Sequence, residues 1–204
     1  MSQKPKVIFS WSGGKDSAYC LYSILEKNLY DVRYLLTTIN RNFGRVSMHG
    51  VREQLLERQV ESIGIPLLKV YVTEGTNLEY EKQMETVLQK AKSEGIECVI
   101  FGDIFLEDLK EYRENNLAKL GMKGIFPLWK MDTTILLNDF INRHFKAVIC
   151  CTNDAHLGEG WVGIELDKLF VQRLPPTVDP CGENGEYHTF CYDGPLFKTK
   201  IDFT

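Results

Sequence analysis

The six cysteines of this chain, Cys20, Cys98, Cys150, Cys151, Cys181 and Cys191, include no C-x-x-C pair. That absence removes the common redox motif and leaves Cys181, His188 and Cys191 without the paired spacing of a zinc site. Cys98 and Cys150 fall in apolar runs, where buried thiols are expected. Long hydrophobic runs are missing too: none approaches a bilayer span, and the N-terminal stretch MSQKPKVIF has no apolar signal region. A soluble, cytoplasmic protein with no membrane partner is expected. There is no excess of basic charge. At a formal net charge of −4, a broad nucleic-acid surface is not expected. Internal repeats and low-complexity segments are also absent, which excludes solenoid arrays and long disordered tracts.

What is present is an ordinary globular composition, 44% hydrophobic and 25% charged over 204 residues. A chain of this size buries roughly 70% of its unfolded surface and needs no covalent staples. It opens on VIFSWSGGKDSAYC. Val7 to Phe9 form a β-favouring run of the kind that crosses a sheet buried on both faces. Gly13 and Gly14 can turn successive N–H groups toward one point, and from Asp16 a helical spacing begins with Ala18, Leu21, Tyr22 and Leu25. Lys15 adds a cation, and Ser10, Ser12 and Ser17 add hydroxyls. Strand, glycine turn, lysine and helix N-terminus make a phosphate grip. The Walker pattern fails, because Phe9 stands where it needs glycine and Asp16 where it needs a hydroxyl.

Further along, strands are expected over Val32–Ile39, Leu67–Val72 and Cys98–Asp103. Helices are expected from Leu55 to Ile63, Leu78 to Glu94 and Leu106 to Leu120, with Arg41 to Gly50 as a loop. Alternating strands and helices without hairpin signals predict a doubly wound parallel α/β sheet, whose ligands sit beyond the strands' carboxyl ends. That rule gathers Ser12–Ser17, His49, Gly102 and Asp103 at one crevice. A boundary is expected near Gly121. It divides residues 1–120 from a smaller α+β part, 121–204, with KGIFPLWKMD as the link, a helix from Thr133 to His144 and a strand at AVICC. In the second part, Glu183 and Glu186 bracket an Asn184-Gly185 turn that reads as a hairpin leading into Tyr187, His188 and Thr189.

The segments SGGKDS, MHG, FGDI, PLW and CGENGEY, in this order, resemble the diphthine–ammonia ligase family of the N-type ATP pyrophosphatase superfamily. The resemblance spans nearly the whole chain. It implies a nucleotide-binding domain of the adenine nucleotide alpha hydrolase (HUP-like) type followed by a substrate-binding domain. The implied activity uses ATP to adenylate a carboxylate, releases pyrophosphate, and lets ammonia or an amine displace AMP. The C-terminal motif departs from the family's G-E-G-G-E-[FY]-E-T pattern at Asn184 and His188. This resembles a bacterial-type branch, whose acceptor carboxylate need not be diphthine.

On this resemblance the nucleotide falls to Ser10, Ser12, Gly13, Gly14, Lys15, Asp16, Ser17, His49 and Gly102. Mg²⁺ falls to Asp16, and the catalytic set is Lys15, Asp16, Asp103, Glu183 and Glu186. Glu183, Asn184, Glu186, Tyr187 and His188 are assigned to the acceptor, a small molecule or a protein. Arg113 is within reach of phosphate or is a solvated helix residue. Two other readings stay open: a tRNA-modifying adenylating enzyme, and a non-catalytic ATP- or AMP-binding module. The reading leaves room for a homodimer.

Overall fold

The computed structural model describes residues 4–73 and 77–203, without the side chains of residues 77–79. Met1 to Gln3 of the N-terminal stretch, and the side chain of Leu78, lie outside that description.

The central sheet is mostly parallel. β1 (Lys6–Ser10) lies between β2 (Asp31–Asn40) and β5 (Cys98–Ile100), both parallel to it. β4 (Leu67–Val72) pairs with β2 along Leu35 to Asn40. Val7, Ile8 and Phe9 are fully buried, as a strand covered on both faces requires. One layer of helices contains α1 (Lys15–Lys27) and α2 (Glu53–Ile63); α3 (Asn77–Ser93) and α4 (Glu107–Lys119) contribute to a second core.

Three features differ from the sequence expectation. The loop after β2 carries a short antiparallel strand, β3 (Arg45–Val46), paired with Ile39 and Asn40 of β2. β1 ends opposite Leu36, so β2 outruns it and β3 lies beyond its end. The supposed link after Gly121 contains β6 (Lys123–Ile125), which adds parallel to β5 and extends the sheet. The sequence hid both because two- and three-residue strands show no periodicity. Finally, the Asn184-Gly185 turn is not a hairpin. It precedes β8 (Tyr187–Asp193), whose antiparallel partner is the distant β7 (Lys146–Thr152).

The C-terminal part consists of that two-stranded sheet, α5 (Thr133–Asn142) and α6 (Lys168–Arg173). Both helices start on an aspartate N-cap: Asp132 accepts from Ile135 N–H and Asp167 from Phe170 N–H. One apolar core runs through both parts, from Val7 and Phe9 to Phe140, Ala147 and Phe190. Helix α1 is consequently enclosed. Tyr19 and Tyr22 meet Phe145 edge-on, while Leu25, read as part of the buried face, is 40% exposed. Among the described residues no helix is long and apolar enough to cross a membrane.

Candidate active site

Of the two glycines in the turn after β1, one takes a conformation closed to other residues and the other is ordinary extended backbone. Gly13 sits at φ +81°, a left-handed conformation that a side chain would strain. Gly14 caps α1 without any side-chain partner of its own. The hydroxyl of Ser12 accepts from Gly14 N–H at 3.3 Å and donates to Ser17 Oγ at 3.0 Å, and Ser17 Oγ donates to Gly14 O. Gly102, after β5, lets the chain pass close to α1: a Cβ there would lie 3.3 Å from the Asp16 carbonyl oxygen.

Strand β8 closes over this turn from the C-terminal part. Cys191 N–H donates to Gly13 O at 2.9 Å, and Lys15 N–H donates to Thr189 Oγ1 at 3.0 Å. The Lys15 side chain is 2% exposed. Its ammonium donates to Asp16 Oδ2 at 2.7 Å and to the Cys181 carbonyl, and lies 5.5 Å from the centre of the Tyr187 ring. Burial opposes its charge most strongly, but Asp16 and the Cys181 and Tyr187 side chains together outweigh it and raise the pKa above the usual lysine range. Lys15 is therefore a fixed cation shared by the turn and the C-terminal motif.

Ser10, Ser12, Lys15, Asp16, His49, Asp103, Glu183, Asn184, Tyr187 and His188 line one cavity of about 1240 Å³. The cavity continues between α3 and α4 over Met84, Leu88 and Leu109. Gly13, Gly14, Ser17, Gly102 and Glu186 do not line it; Gly14 meets the lining through its N–H, which donates to the Ser12 hydroxyl.

The two glutamates of the C-terminal motif part company. Glu183 accepts from Ile104 N–H at 3.3 Å and its pKa is pushed up to about 7 by burial and by the negative charge of Asp16. Such a carboxyl can hold or release a proton near neutrality. Glu186 is 1% exposed and faces inward. It accepts from Asp179 N–H, Asn184 N–H and the Asn184 side-chain amide at 2.9 to 3.1 Å. Burial would raise its pKa, but these donors outweigh it and hold the group ionised, below the usual carboxylate range. Asp179 completes the brace by accepting from Cys181 and Glu183 N–H groups.

Asp103 forms an ion pair with Arg113 at 2.7 Å, and burial pushes its pKa upward against that pairing. The Arg113 guanidinium also lies over the Phe101 ring at 4.4 Å and lines the cavity, so it is neither free nor a simple solvated residue. His49 and His188 pack ring to ring at 4.6 Å. Burial, the neighbouring ring and Lys15 lower His49 to about 3, and burial and Lys15 lower His188 as well. Both are neutral imidazoles at neutral pH.

Among the described residues, no group of three side chains is placed to cage a metal. Asp16 Oδ1 is buried without a hydrogen-bond partner. One hard carboxylate oxygen beside a phosphate grip fits Mg²⁺, which is held by one or two carboxylates together with phosphate oxygens.

Two contributors escaped the sequence reading, Thr189 and Gln59. Gln59 is fully buried and donates to Gly13 O and Cys191 O. Its one sequence signal is a polar side chain three residues after Leu56, on the apolar face of α2.

Residues 5–124 match the family model described as the diphthamide synthase N-terminal domain, and residues 132–204 match the diphthamide synthase C-terminal domain. The diphthine–ammonia ligase of Danio rerio is 27% identical over 222 residues, covering 96% of this chain and 85% of that protein. The protein of that name from Mus musculus is 29% identical over 215 residues, with 93% and 79% covered. The one from Homo sapiens is 28% identical over 221 residues, with the same coverage.

Proposed function

The chain belongs to the diphthamide synthase family, and from that premise we propose that it is an ATP-dependent amide ligase. It adenylates a substrate carboxylate, releases pyrophosphate and transfers ammonia or an amine to the activated acyl group. The observation that carries this reading is the meeting of Glu183 with Lys15 and Asp16 in one cavity, where an acid–base group of one part faces the phosphate grip of the other.

In the first half-reaction an acceptor carboxylate oxygen attacks the α-phosphorus of ATP. The bond from that phosphorus to the α–β bridging oxygen breaks, and its electron pair leaves with pyrophosphate. The Gly14 N–H, the Ser12 hydroxyl and the buried Lys15 ammonium stabilise the departing charge without reorganising. Asp16 Oδ1 would hold Mg²⁺, which supplies further charge neutralisation at the phosphates. In the second half-reaction the amine nitrogen attacks the acyl carbon, the carbon–oxygen bond to AMP breaks, and Glu183 takes the proton lost by nitrogen. Asp103, fixed by Arg113, orients the groups at the opposite wall. Glu186 serves instead as a brace that holds the loop carrying Glu183.

We assign nucleotide binding to the N-terminal part and acceptor binding to the motif after Gly121, with Asn184, Tyr187 and His188 beside the acceptor. The named relatives act on diphthine. Here the neutral His188 leaves the carboxylate acceptor open to others. The six unpaired cysteines support a cytoplasmic location, where thiols stay reduced. The reading is tested with a panel of ¹⁸O-labelled carboxylates supplied with ATP, Mg²⁺ and ammonium. Amide formation should deliver one ¹⁸O into AMP. Label recovered in inorganic phosphate would refute adenylation.

A further inference from the structure

A peptide plane has two polar ends, and fixing one aims the other. The bond joining Gly13 to Gly14 is trans, since the described residues contain no cis peptide. Its carbonyl oxygen and its N–H therefore point to opposite sides. The carbonyl end is held twice, by Cys191 N–H at 2.9 Å and by Gln59 Nε2 at 2.9 Å. Gln59 is itself immobilised. The same Nε2 donates to Cys191 O at 2.6 Å, and its Oε1 accepts from Trp11 Nε1 at 3.2 Å. Both of its donors and its carbonyl oxygen are thus engaged, on the turn, on β8 and on the residue leading into the turn. On the other side of the plane, Gly14 N–H reaches only the Ser12 hydroxyl at 3.3 Å, a long contact to a residue that lines the cavity.

We infer that Gln59 is a positioning residue for the ligase reaction: it locks the Gly13–Gly14 peptide so that the Gly14 N–H stays aimed at the cavity-lining Ser12 hydroxyl, whose place as acceptor the leaving phosphate takes. The inference rests on the functional reading above. A free peptide of two glycines could rotate at little steric cost, and rotation would turn a carbonyl oxygen toward an anion. The site would then repel what it must hold. Because Gln59 also binds Cys191, the lock is set only when β8 is docked, which links the phosphate grip to the part carrying Glu183. A role in packing alone would not require every polar atom of the side chain to be engaged at these three places.

The chain of hydrogen bonds supplies its own readout. A phosphate accepting from Gly14 N–H polarises the peptide and strengthens the bond from Gln59 Nε2 to Gly13 O. Titrating the isotope-labelled wild-type protein with inorganic pyrophosphate should move the Gly14 amide proton and the Gln59 side-chain amide protons downfield together, at one common affinity. Binding is followed independently by phosphorus NMR. Pyrophosphate that binds while either set of protons stays in place would overturn the inference and leave the functional reading standing. Failure of the wild type to bind pyrophosphate at all would defeat both. In Gln59→Met, of similar shape but without a donor, pyrophosphate affinity and kcat should fall about tenfold, the loss of one charge-assisted hydrogen bond, while KM for the acceptor is unchanged. Equal affinity and kcat in that variant would also refute the lock. If the variant does not fold, the wild-type titration decides alone.

Discussion

The turn at Ser10–Ser17 and the loop at Asp179–Thr189 sit on one cavity, yet they spend their residues differently. In the turn, Ser10, Ser12, Lys15 and Asp16 all line the cavity, and Ser17 holds the turn through Gly14 O. In the loop, much of the polar content holds the loop itself: Asp179 and Glu186 receive backbone donors, and Tyr187 donates to Pro180 O at 2.5 Å. Of its polar side chains, Glu183, Asn184, Tyr187, His188 and Thr189 line the cavity, and those of Asn184, Tyr187 and Thr189 are already bonded to Glu186, Pro180 and Lys15. A phosphate grip built on a helix N-terminus gets its shape from regular secondary structure. An irregular loop must build its shape from side chains, and those side chains are then unavailable for chemistry.

The comparison breaks most sharply at Glu183. Replacing it with Gln removes the proton acceptor of the second half-reaction, so amide formation should fall by roughly 10²- to 10⁴-fold. Its raised pKa means the wild-type group is protonated below about pH 7 and ionised above. The wild-type rate should therefore rise with pH through about 7, and Glu183→Gln should flatten that limb. The folded protein holds this proton more tightly than the unfolded chain, so Glu183 favours folding at acid pH and loses that contribution as pH rises through about 7. A rate that stays constant from pH 6 to 8 would remove Glu183 from the proton step.

Next come the residues of the turn. Lys15→Met or Asp16→Asn should lower turnover by roughly ten- to a thousandfold, with the larger part in kcat. Circular dichroism should confirm that the fold persists. Wild-type turnover in both variants at limiting and saturating Mg²⁺-ATP would show that the turn does not serve the reaction.

A smaller effect, and of another kind, is expected at Glu186. Glu186→Gln sets an N–H against backbone donors, and stability should drop by about 1–3 kcal/mol in denaturant unfolding. The rate limb near pH 7 should remain. Its disappearance would mean that the two glutamates share the chemistry after all.

The subtlest change is His188→Glu. Here the acceptor ranking should shift, toward cationic acceptors, with ATP affinity by calorimetry nearly unchanged. Equal loss of ATP affinity and amide formation with the ranking intact would place His188 on the nucleotide side.

The same contrast explains what the sequence disclosed. The glycine turn after β1, the long strands and the parallel sheet were legible because each rests on local pattern: Val7 to Phe9, the Gly13-Gly14 pair, and the helical repeat of α2. The separation of Glu183 from Glu186 was not, because which carboxylate turns inward depends on where the N–H groups of Asp179 and Asn184 fall. Nor was the pairing of His49 with His188, since it needs β8 to lie over the turn, a contact 139 residues distant in the chain. Strands as short as β3 and β6 exist through their neighbours, and their own residues carry no signature.

The central claim is that the two regions together perform acyl adenylation rather than phosphoryl transfer. Chromatography of the nucleotide products, with the wild-type protein, Mg²⁺-ATP, ammonium and a carboxylate acceptor that the protein converts to its amide, tests it directly. AMP and pyrophosphate should appear in equal amounts and match the amide formed. ADP and inorganic phosphate as the only products would contradict the account.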